Sequence, residues 1–203
     1  MPANTDIANR SLSKVGGSRI TSFTQGVKNS NTVNDIFEDL RDELLDHPWN
    51  FASKRVKLAK SATAPVFGWD YAYPLQSDHI RLRSVHDNTN GTGSVIFNEE
   101  QHEGALAIVT SADPIYIRYV ARVTDPNLWS VGFRRAFILA LARDLAIPIA
   151  GSKLLLEKLT DEAKRALAGA KSVDALTSYP ERRPVGSWVG SRRVTSYSDH
   201  YQH

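Results

Sequence analysis

One stretch constrains the fold more than any other, residues 33–51, which read VNDIFEDLRDELLDHPWNF. Its apolar residues recur at steps of three and four, so they lie on one side of an α-helix. These apolar residues are Val33, Ile36, Phe37, Leu40 and Leu44. The opposite side carries Glu38, Asp39, Arg41, Asp42 and Glu43 and is predicted to face solvent. The pattern therefore predicts an amphipathic helix that covers a hydrophobic core.

The ends of this helix are also marked in the sequence. Asn31 or Thr32 is predicted to cap its start, since a short polar side chain accepts a hydrogen bond from an unpaired backbone amide. Pro48 predicts its end, because the residue before a proline is disfavoured in the helical conformation. Trp49 and Phe51 follow at once, and we expect these two rings to fix the helix end against the core.

Composition excludes several classes of protein. The chain of 203 residues is 41% hydrophobic and 23% charged, which is typical of a globular protein with one domain or two small packed ones. It has no cysteine, which excludes disulfides, thiolate metal sites and cysteine nucleophiles. The formal net charge of +3 does not by itself indicate nucleic-acid binding. The first residues lack the apolar segment of a signal peptide, so we expect a protein used in water, without export or contact with a membrane.

After Asn50 the periodicity changes to short alternating runs that are typical of strands. Together with Ser94–Phe97, Ala105–Thr110 and Pro114–Val120, these runs predict about five strands. No segment of helical length separates them, so an antiparallel sheet is expected. The Asn-Gly pair within residues 87–93 predicts a tight hairpin. Residues 65–74, which include Phe67 and Trp69, are bounded by prolines and predict a packed loop rather than a platform for stacking sugars or bases.

Three further helices are predicted. The first covers about residues 5–15, the third begins at Asp125-Pro126 and stops at Pro148, and the last opens at Ser152. The predicted fold class is α+β: a bundle of about four helices with one small antiparallel sheet inserted, and an extended C-terminal arm. The predicted regions are 1–49 (helices), 50–122 (inserted β region), 123–176 (helices) and 177–203 (arm).

The arm differs in character from the rest of the chain. It contains two Arg-Arg pairs, two prolines and several aromatic residues, without helical or strand periodicity. This composition predicts either a solubilising tail or, as we favour, an extended segment that docks on a partner through arginine and aromatic side chains. The residues predicted to make that contact are Arg182, Arg183, Trp188, Arg192, Arg193 and Tyr197.

No pattern in the sequence predicts catalysis. The four acidic residues Glu38, Asp39, Asp42 and Glu43 lie along one helix face, whereas a glycosidase holds two carboxylates opposite each other across its sugar. The histidines are scattered without metal-ligand spacing, and phosphate-binding or nucleophile-elbow motifs are lacking. We therefore predict no catalytic residue, no bound metal and no cofactor.

Four segments carry a resemblance to a known family. They are Asn9–Gly16 followed by Arg19-Ile20, Arg41–Ala52 (RDELLDHPWNFA), Phe67–Pro74 (FGWDYAYP) and Asp125–Ala150 (DPNLWSVGFRRAFILALARDLAIPIA). In these segments and in the order of its parts the chain resembles the head-to-tail connector adaptors of tailed bacteriophages, in particular the tail tubular protein A-like adaptors. The resemblance covers about residues 4–176, and the arm matches in character rather than in sequence.

The resemblance implies a structural protein of the virion, made in the host cytoplasm and located in the phage neck. It implies a dodecameric ring beneath the portal protein, with a downstream tail protein (nozzle or tail tube) on its other side. Genome DNA would pass through the channel without sequence-specific binding, and the arm would grip the portal. Pro48, Trp49, Phe51, Phe67 and Trp69 would serve as core anchors or subunit-interface residues. Two alternatives stay open: a virion-associated peptidoglycan hydrolase and a nucleic-acid-binding module.

Overall fold

The computed structural model describes residues 3–177. Its helices and strands follow one another in the order α1 (Asn4–Lys14), α2 (Lys28–Leu45), β1 (Ser53–Lys57), β2 (Tyr71–Pro74), β3 (His79–His86), β4 (Asn98–His102), β5 (Ala105–Thr110), β6 (Tyr116–Ala121), α3 (Val131–Leu145) and α4 (Lys153–Leu176). A single π-helical turn, Ala146–Ala150, joins α3 to α4 and contains Pro148.

The predicted fold class is wrong in its β region. In place of one small sheet, the described residues form two three-stranded antiparallel sheets: sheet A with the order β1-β6-β3 and sheet B with the order β2-β5-β4. The extra strand, β2, lies at the end of the predicted loop 65–74. Pro74 is tolerated there because β2 is an edge strand, where a missing N–H need not break the ladder. The protein is therefore an α+β fold with more strand than predicted.

The predicted hairpin at residues 87–93 is also wrong. The strands on either side of it, β3 and β4, belong to different sheets, so this loop crosses from sheet A to sheet B. A tight hairpin occurs instead between β4 and β5, where Glu103 and Gly104 have φ values of 51° and 81°. Two successive residues with positive φ form the turn that best matches the twist of a two-stranded ladder.

Helix boundaries differ from the predicted ones at two places. Helix α2 begins at Lys28, and the Thr32 hydroxyl donates within the helix to the Lys28 carbonyl at 2.9 Å, so Thr32 does not cap it. Helix α3 begins at Val131 rather than at Asp125-Pro126, because the Ser130 hydroxyl accepts a hydrogen bond from the Phe133 amide. The predicted start of α4 is confirmed, since the Ser152 hydroxyl accepts from the Leu155 amide at 3.2 Å.

Sheet A lies between the helices and sheet B. One of its faces carries Ile117 and Tyr119, which pack with Tyr73 and Ile108 of sheet B in a small core. Its other face carries Val120, which is fully buried in the larger core formed with the helices. Because the side chains of a strand alternate between faces, β6 contributes to both cores. This arrangement leaves only part of sheet A's helix-side face open.

Candidate functional site

A groove of about 920 Å³ runs between α3 and α4. Its floor is made of small residues, Gly132, Ala166, Gly169 and Ala170. The two helices approach closely here, since a methyl group placed on Gly132 would lie 3.0 Å from the Cβ of Ala170. In the sequence, the groove is indicated only by the alanine-rich side of α4. The groove itself forms because α3 packs against that side.

The groove is apolar and open at its sides. Val131 is 80% exposed and Val173 is 63% exposed, and both contribute to its walls. Its rim carries charges of both signs, from Arg135, Arg165 and Glu162 among others. Exposed apolar residues that are grouped beneath a polar rim are typical of protein–protein contact surfaces.

A second, smaller groove of about 420 Å³ continues from the first, between α1 and α3. Four residues line both grooves, so the two form one surface across three helices: Val131, Arg135, Leu139 and Glu162. The guanidinium of Arg134 is fixed beside it, with Nη2 donating to the Trp129 carbonyl at 3.1 Å. This continuous surface, which we call the helical groove, is a candidate for contact with another chain.

A second candidate surface lies on the open part of sheet A, on the side that faces away from sheet B. The strand register places Arg55 opposite Arg118, and Lys57 opposite Tyr116. Residues that are directly opposite in an antiparallel pair project to the same side, so these four side chains share one face. With the loop that follows β3, they enclose a concavity of about 640 Å³, which we call the sheet A basin.

Several contacts shape the sheet A basin. The Arg118 Nε and the Arg83 Nη1 both donate to the Ser53 hydroxyl, each at 3.2 Å, so two guanidinium groups converge on one oxygen. The Lys57 ammonium lies 5.9 Å from the centre of the Tyr116 ring. In the sequence this basic face is indicated by the alternation of Arg55 and Lys57 along β1, but neither residue was among the predicted site residues.

The loop beside the basin is tied down by a histidine. The His86 Nδ1 lies 2.7 Å from the Gly93 carbonyl oxygen, and its Nε2 lies 2.9 Å from the Ser84 hydroxyl. Both ring nitrogens thus have partners, one of them at the far end of the loop. The ring therefore holds the loop, with Asn88 and Asn90, along the edge of the basin.

A polar cluster borders the small core in sheet B. The Tyr73 hydroxyl donates to Asp113 Oδ1 at 3.1 Å, and Lys60 Nζ donates to Asp113 Oδ2 at 2.8 Å. The hydrogen bond from Lys60, helped by that from Tyr73, holds the pKa of Asp113 below its usual range. Burial and the bond to Asp113 raise the pKa of Tyr73. The carboxylate is thus ionised and the phenol protonated at neutral pH.

A matching cluster borders the same core in sheet A. The Tyr119 hydroxyl donates to Asp78 Oδ1 at 3.0 Å, and Lys54 Nζ donates to Asp78 Oδ2 at 2.6 Å. Burial by itself raises the pKa of Asp78, but the bonds from Lys54 and Tyr119 outweigh it and leave that pKa lowered. Burial raises the pKa of Tyr119 to about 12. In each cluster one aspartate accepts hydrogen bonds from a tyrosine and from a lysine, and we call these two arrangements structural locks.

The acidic helix face also has a structural role. Asp42 accepts hydrogen bonds from Arg41 Nε at 2.9 Å and from Arg122 Nε at 2.7 Å. Arg41 is only 3% exposed, which corrects the prediction that it faces solvent, and Glu38 and Asp42 compensate its buried charge. None of the three concavities described above is lined by Glu38, Asp39, Asp42 or Glu43.

The predicted anchor residues are placed differently from one another. Trp49 is fully buried, donating from Nε1 to the Leu44 carbonyl at 2.8 Å, and Phe51 packs at its side while Pro48 is partly buried. Phe67 is 87% exposed and Trp69 only partly buried, which corrects the prediction of a packed loop. Phe67 and Trp69 are more exposed than Trp49 because they precede β2, the only part of residues 65–74 that joins a strand.

The predicted docking residues Arg182, Arg183, Trp188, Arg192, Arg193 and Tyr197 lie outside the described residues. Within residues 3–177, no group of three or more histidine, aspartate or glutamate side chains is placed to hold a metal ion. In the same part of the chain, no helix combines the length and the apolar character that crossing a membrane requires.

No protein-family model matches this chain, and no curated protein matches it either. The resemblance to phage connector adaptors therefore stays a prediction from the sequence segments named above.

Proposed function

We propose that the protein is a structural adaptor of a phage head–tail connector. In this role it forms a ring beneath the portal, joins the DNA-filled head to the tail and lets the genome pass. The observation that supports an assembling protein best is the helical groove, with Val131 and Val173 exposed in its walls. The kind of assembly, a ring in a phage connector, is inferred from the segments that resemble the connector adaptors.

The occupant that we assign to the helical groove is a second copy of the chain. A ring is built from heterologous contacts, in which a surface on one subunit meets a different surface on the next. The rim of the groove offers Arg135 and Arg165 together with Glu162, so it suits a neighbour with mixed charge rather than a strongly acidic or basic one. The arm, predicted as residues 177–203, would then contribute the grip on the portal.

The test is the mass of the purified protein in solution, alone and mixed with its candidate portal. We expect a ring on the portal. A chain that stays monomeric and ignores the portal at every concentration would overturn the proposal. Deleting residues 178–203 should leave a folded body that no longer joins filled heads, and normal particle assembly with the truncated chain would contradict the role of the arm.

Two variants test the assignment of the groove. Val173→Glu places a charge in an exposed apolar wall and should abolish the ring without unfolding the chain. Ile96→Glu is the matched control, because Ile96 is 81% exposed and lies outside the groove. If Val173→Glu leaves the ring intact but prevents portal binding, the groove is occupied by the portal or by residues 178–203, and the side-to-side assignment is wrong.

The contacts described above do not favour the peptidoglycan-hydrolase alternative, because both oxygens of Asp42 accept hydrogen bonds from arginines. Its direct test is the clearing of cell-wall suspensions. Clearing by the wild type that is lost in Asp42→Asn or Glu43→Gln would favour an enzyme over an adaptor.

A further inference from the structure

We propose that the helical groove of one subunit receives the tip of the loop before β2 of the next subunit, with Phe67 as the inserted side chain. We call residues 66–67 the loop tip. The inference rests on the proposed function, because the contact needs a neighbouring subunit in a ring. It goes further by assigning the segment of that neighbour that fills the groove.

The loop tip is an apolar group that its own subunit leaves uncovered. Val66 is 97% exposed and Phe67 is 87% exposed, so the ring contacts little of its own chain. Gly68 follows with a φ of 85°, a conformation that glycine adopts without strain, so the backbone turns directly after the ring. An aromatic side chain buries about 150–250 Å² on contact. Covering this ring therefore removes a large apolar area from water and stabilises the contact that covers it.

The helical groove has the complementary properties. Val131 and Val173 form apolar walls, and the floor includes Gly169 and Ala170. Among the described residues, and apart from its own helical turn, a methyl group placed on Gly169 would have no atom within 4 Å, so the groove is open above it. Its volume of about 920 Å³ lies within the range of about 300–1,000 Å³ in which proteins hold organic ligands, which is ample for a phenyl ring. Large side chains seated in such pockets contribute most of the binding energy of many interfaces.

The loop tip and the helical groove lie on different parts of the subunit. The loop leads into β2 of sheet B, whereas the groove lies between α3 and α4, and sheet A separates sheet B from the helices. Within residues 3–177, neither Val66 nor Phe67 lines the groove. A surface that meets a different surface on the next copy makes a heterologous contact, and a ring is built from such contacts. The tip therefore suits the groove of a neighbour rather than that of its own subunit.

Charges beside the two surfaces favour one orientation of the contact. Asp70 is exposed three residues after Phe67, and the rim of the groove carries the exposed Arg135 and Arg165. Glu162 on the same rim would repel Asp70, so the contact is expected with Asp70 turned towards the arginines. Charges at the rim of an interface fix its orientation more than its affinity. The ring of Phe67 therefore supplies the anchor, and Asp70 directs how the loop enters.

The first experiment cross-links the two surfaces. The natural chain has no cysteine, so two introduced cysteines are its only thiols. Full-length Val66→Cys/Val131→Cys keeps Phe67 and replaces two exposed valines, one in the loop tip and one in the groove wall. It is treated with a short bis-maleimide in the presence of the candidate portal, and the products are separated under denaturing conditions. We expect a ladder of linked chains. The matched control, Ile96→Cys/Val131→Cys, should give none, since Ile96 is 81% exposed but lies outside the loop tip.

The second experiment fills the groove in this cross-linking variant. Gly169→Leu adds a side chain where the groove is open, and leucine favours helix over glycine, so the thermal midpoint should not decrease. The added side chain should abolish the ladder. Ala168→Leu is the matched control, because Ala168 is the exposed neighbour on α4 and does not line the groove. This control should leave the ladder unchanged.

The third measurement is the concentration at which subunits associate. Phe67→Ala should raise it about 30-fold, the effect of removing an interface hot spot, at an unchanged thermal midpoint. A ring that forms without the cross-link, or a cross-link that survives Gly169→Leu, would overturn this contact and leave the adaptor function standing. A chain that forms no ring, alone or on the portal, would overturn the adaptor function and the contact together.

Discussion

The two hydrophobic cores of this protein are built in different ways. The core among the helices is held by large aromatic rings: Phe133 lies 5.1 Å, ring centre to ring centre, from each of Trp49, Phe51 and Trp129. The core between the sheets has tyrosines at its border, and the hydroxyls of Tyr73 and Tyr119 each bind an aspartate that also binds a lysine. The first core is held mainly by apolar packing, whereas the second combines packing with hydrogen bonds to ionised aspartates.

The difference follows from the size of the elements. Helix α3, of 15 residues, buries nine apolar residues, and the stabilisation from such burial scales with the apolar area. The sheets have strands of 4 to 8 residues and therefore bury less apolar surface. Hydrogen bonds to ionised aspartates compensate in part for this smaller apolar burial. We therefore expect the helical core to tolerate changes of pH and salt better than the sheets do.

The largest effect is expected from Phe133→Ala. Removing a fully buried ring from the centre of the aromatic cluster should lower the free energy of unfolding by about 3–5 kcal/mol. Urea denaturation followed by circular dichroism measures this loss. It should be the same at low and high salt, and a strong dependence on salt would contradict the view that this core is held by apolar packing.

A smaller effect is expected from Tyr119→Phe, which removes the hydroxyl that donates to Asp78. A hydrogen bond to a charged group contributes about 1.5–3 kcal/mol, so the loss should be about 1.5 kcal/mol for this partly exposed carboxylate. Tyr116→Phe is the control, since within residues 3–177 no hydrogen bond of the Tyr116 hydroxyl is found, and it should cost almost nothing. Equal losses of unfolding free energy in Tyr119→Phe and Tyr116→Phe, measured by urea denaturation, would contradict a stabilising role of the Tyr119–Asp78 hydrogen bond.

The smallest effect is expected from pH. Burial lowers the pKa of His79 in sheet A, and burial followed by the charge of Lys171 lowers the pKa of His47 at the end of α2. A histidine whose pKa is lower in the folded state gives stability that is complete above its unfolded pKa of about 6.5. That stability is lost as pH falls from there through the folded value.

The thermal midpoint should therefore decrease between about pH 7 and pH 5. His79→Gln should flatten this decrease, since glutamine binds no proton. His47→Gln measures the part of this decrease that comes from His47, at the end of α2. An unchanged pH profile in both variants would show that these two histidines do not carry the effect.

Local features of the fold could be predicted where neighbouring residues decide the outcome. The buried side of α1, with Ile7 and Leu12, follows from helical spacing, and the Ser152 cap follows from one hydroxyl and one backbone amide. The turn at residues 87–93 was mispredicted for the opposite reason. An Asn-Gly pair indicates that the chain can reverse its direction there, but it does not determine which strands pair on either side.

The candidate surfaces were harder to predict than the helices. Arg55 and Lys57 alternate along β1, but only the register with β6 places Arg118 beside them. The small residues of α4 are visible in the sequence, but a groove also requires α3 to approach at Gly132. A surface made by two elements needs their relative position, and spacing along one element does not contain that information.

The sequence by itself determined the amphipathic character of α2, the proline end after it and the burial of Trp49, because these depend on period, local backbone sterics and the size of one ring. Only the tertiary structure decided that the β region divides into two sheets, that Arg41 is buried between carboxylates and that basic residues of β1 and β6 form one face. The physical reason is that strand pairing and charge compensation join residues far apart in the chain, and their free energy depends on which partners meet.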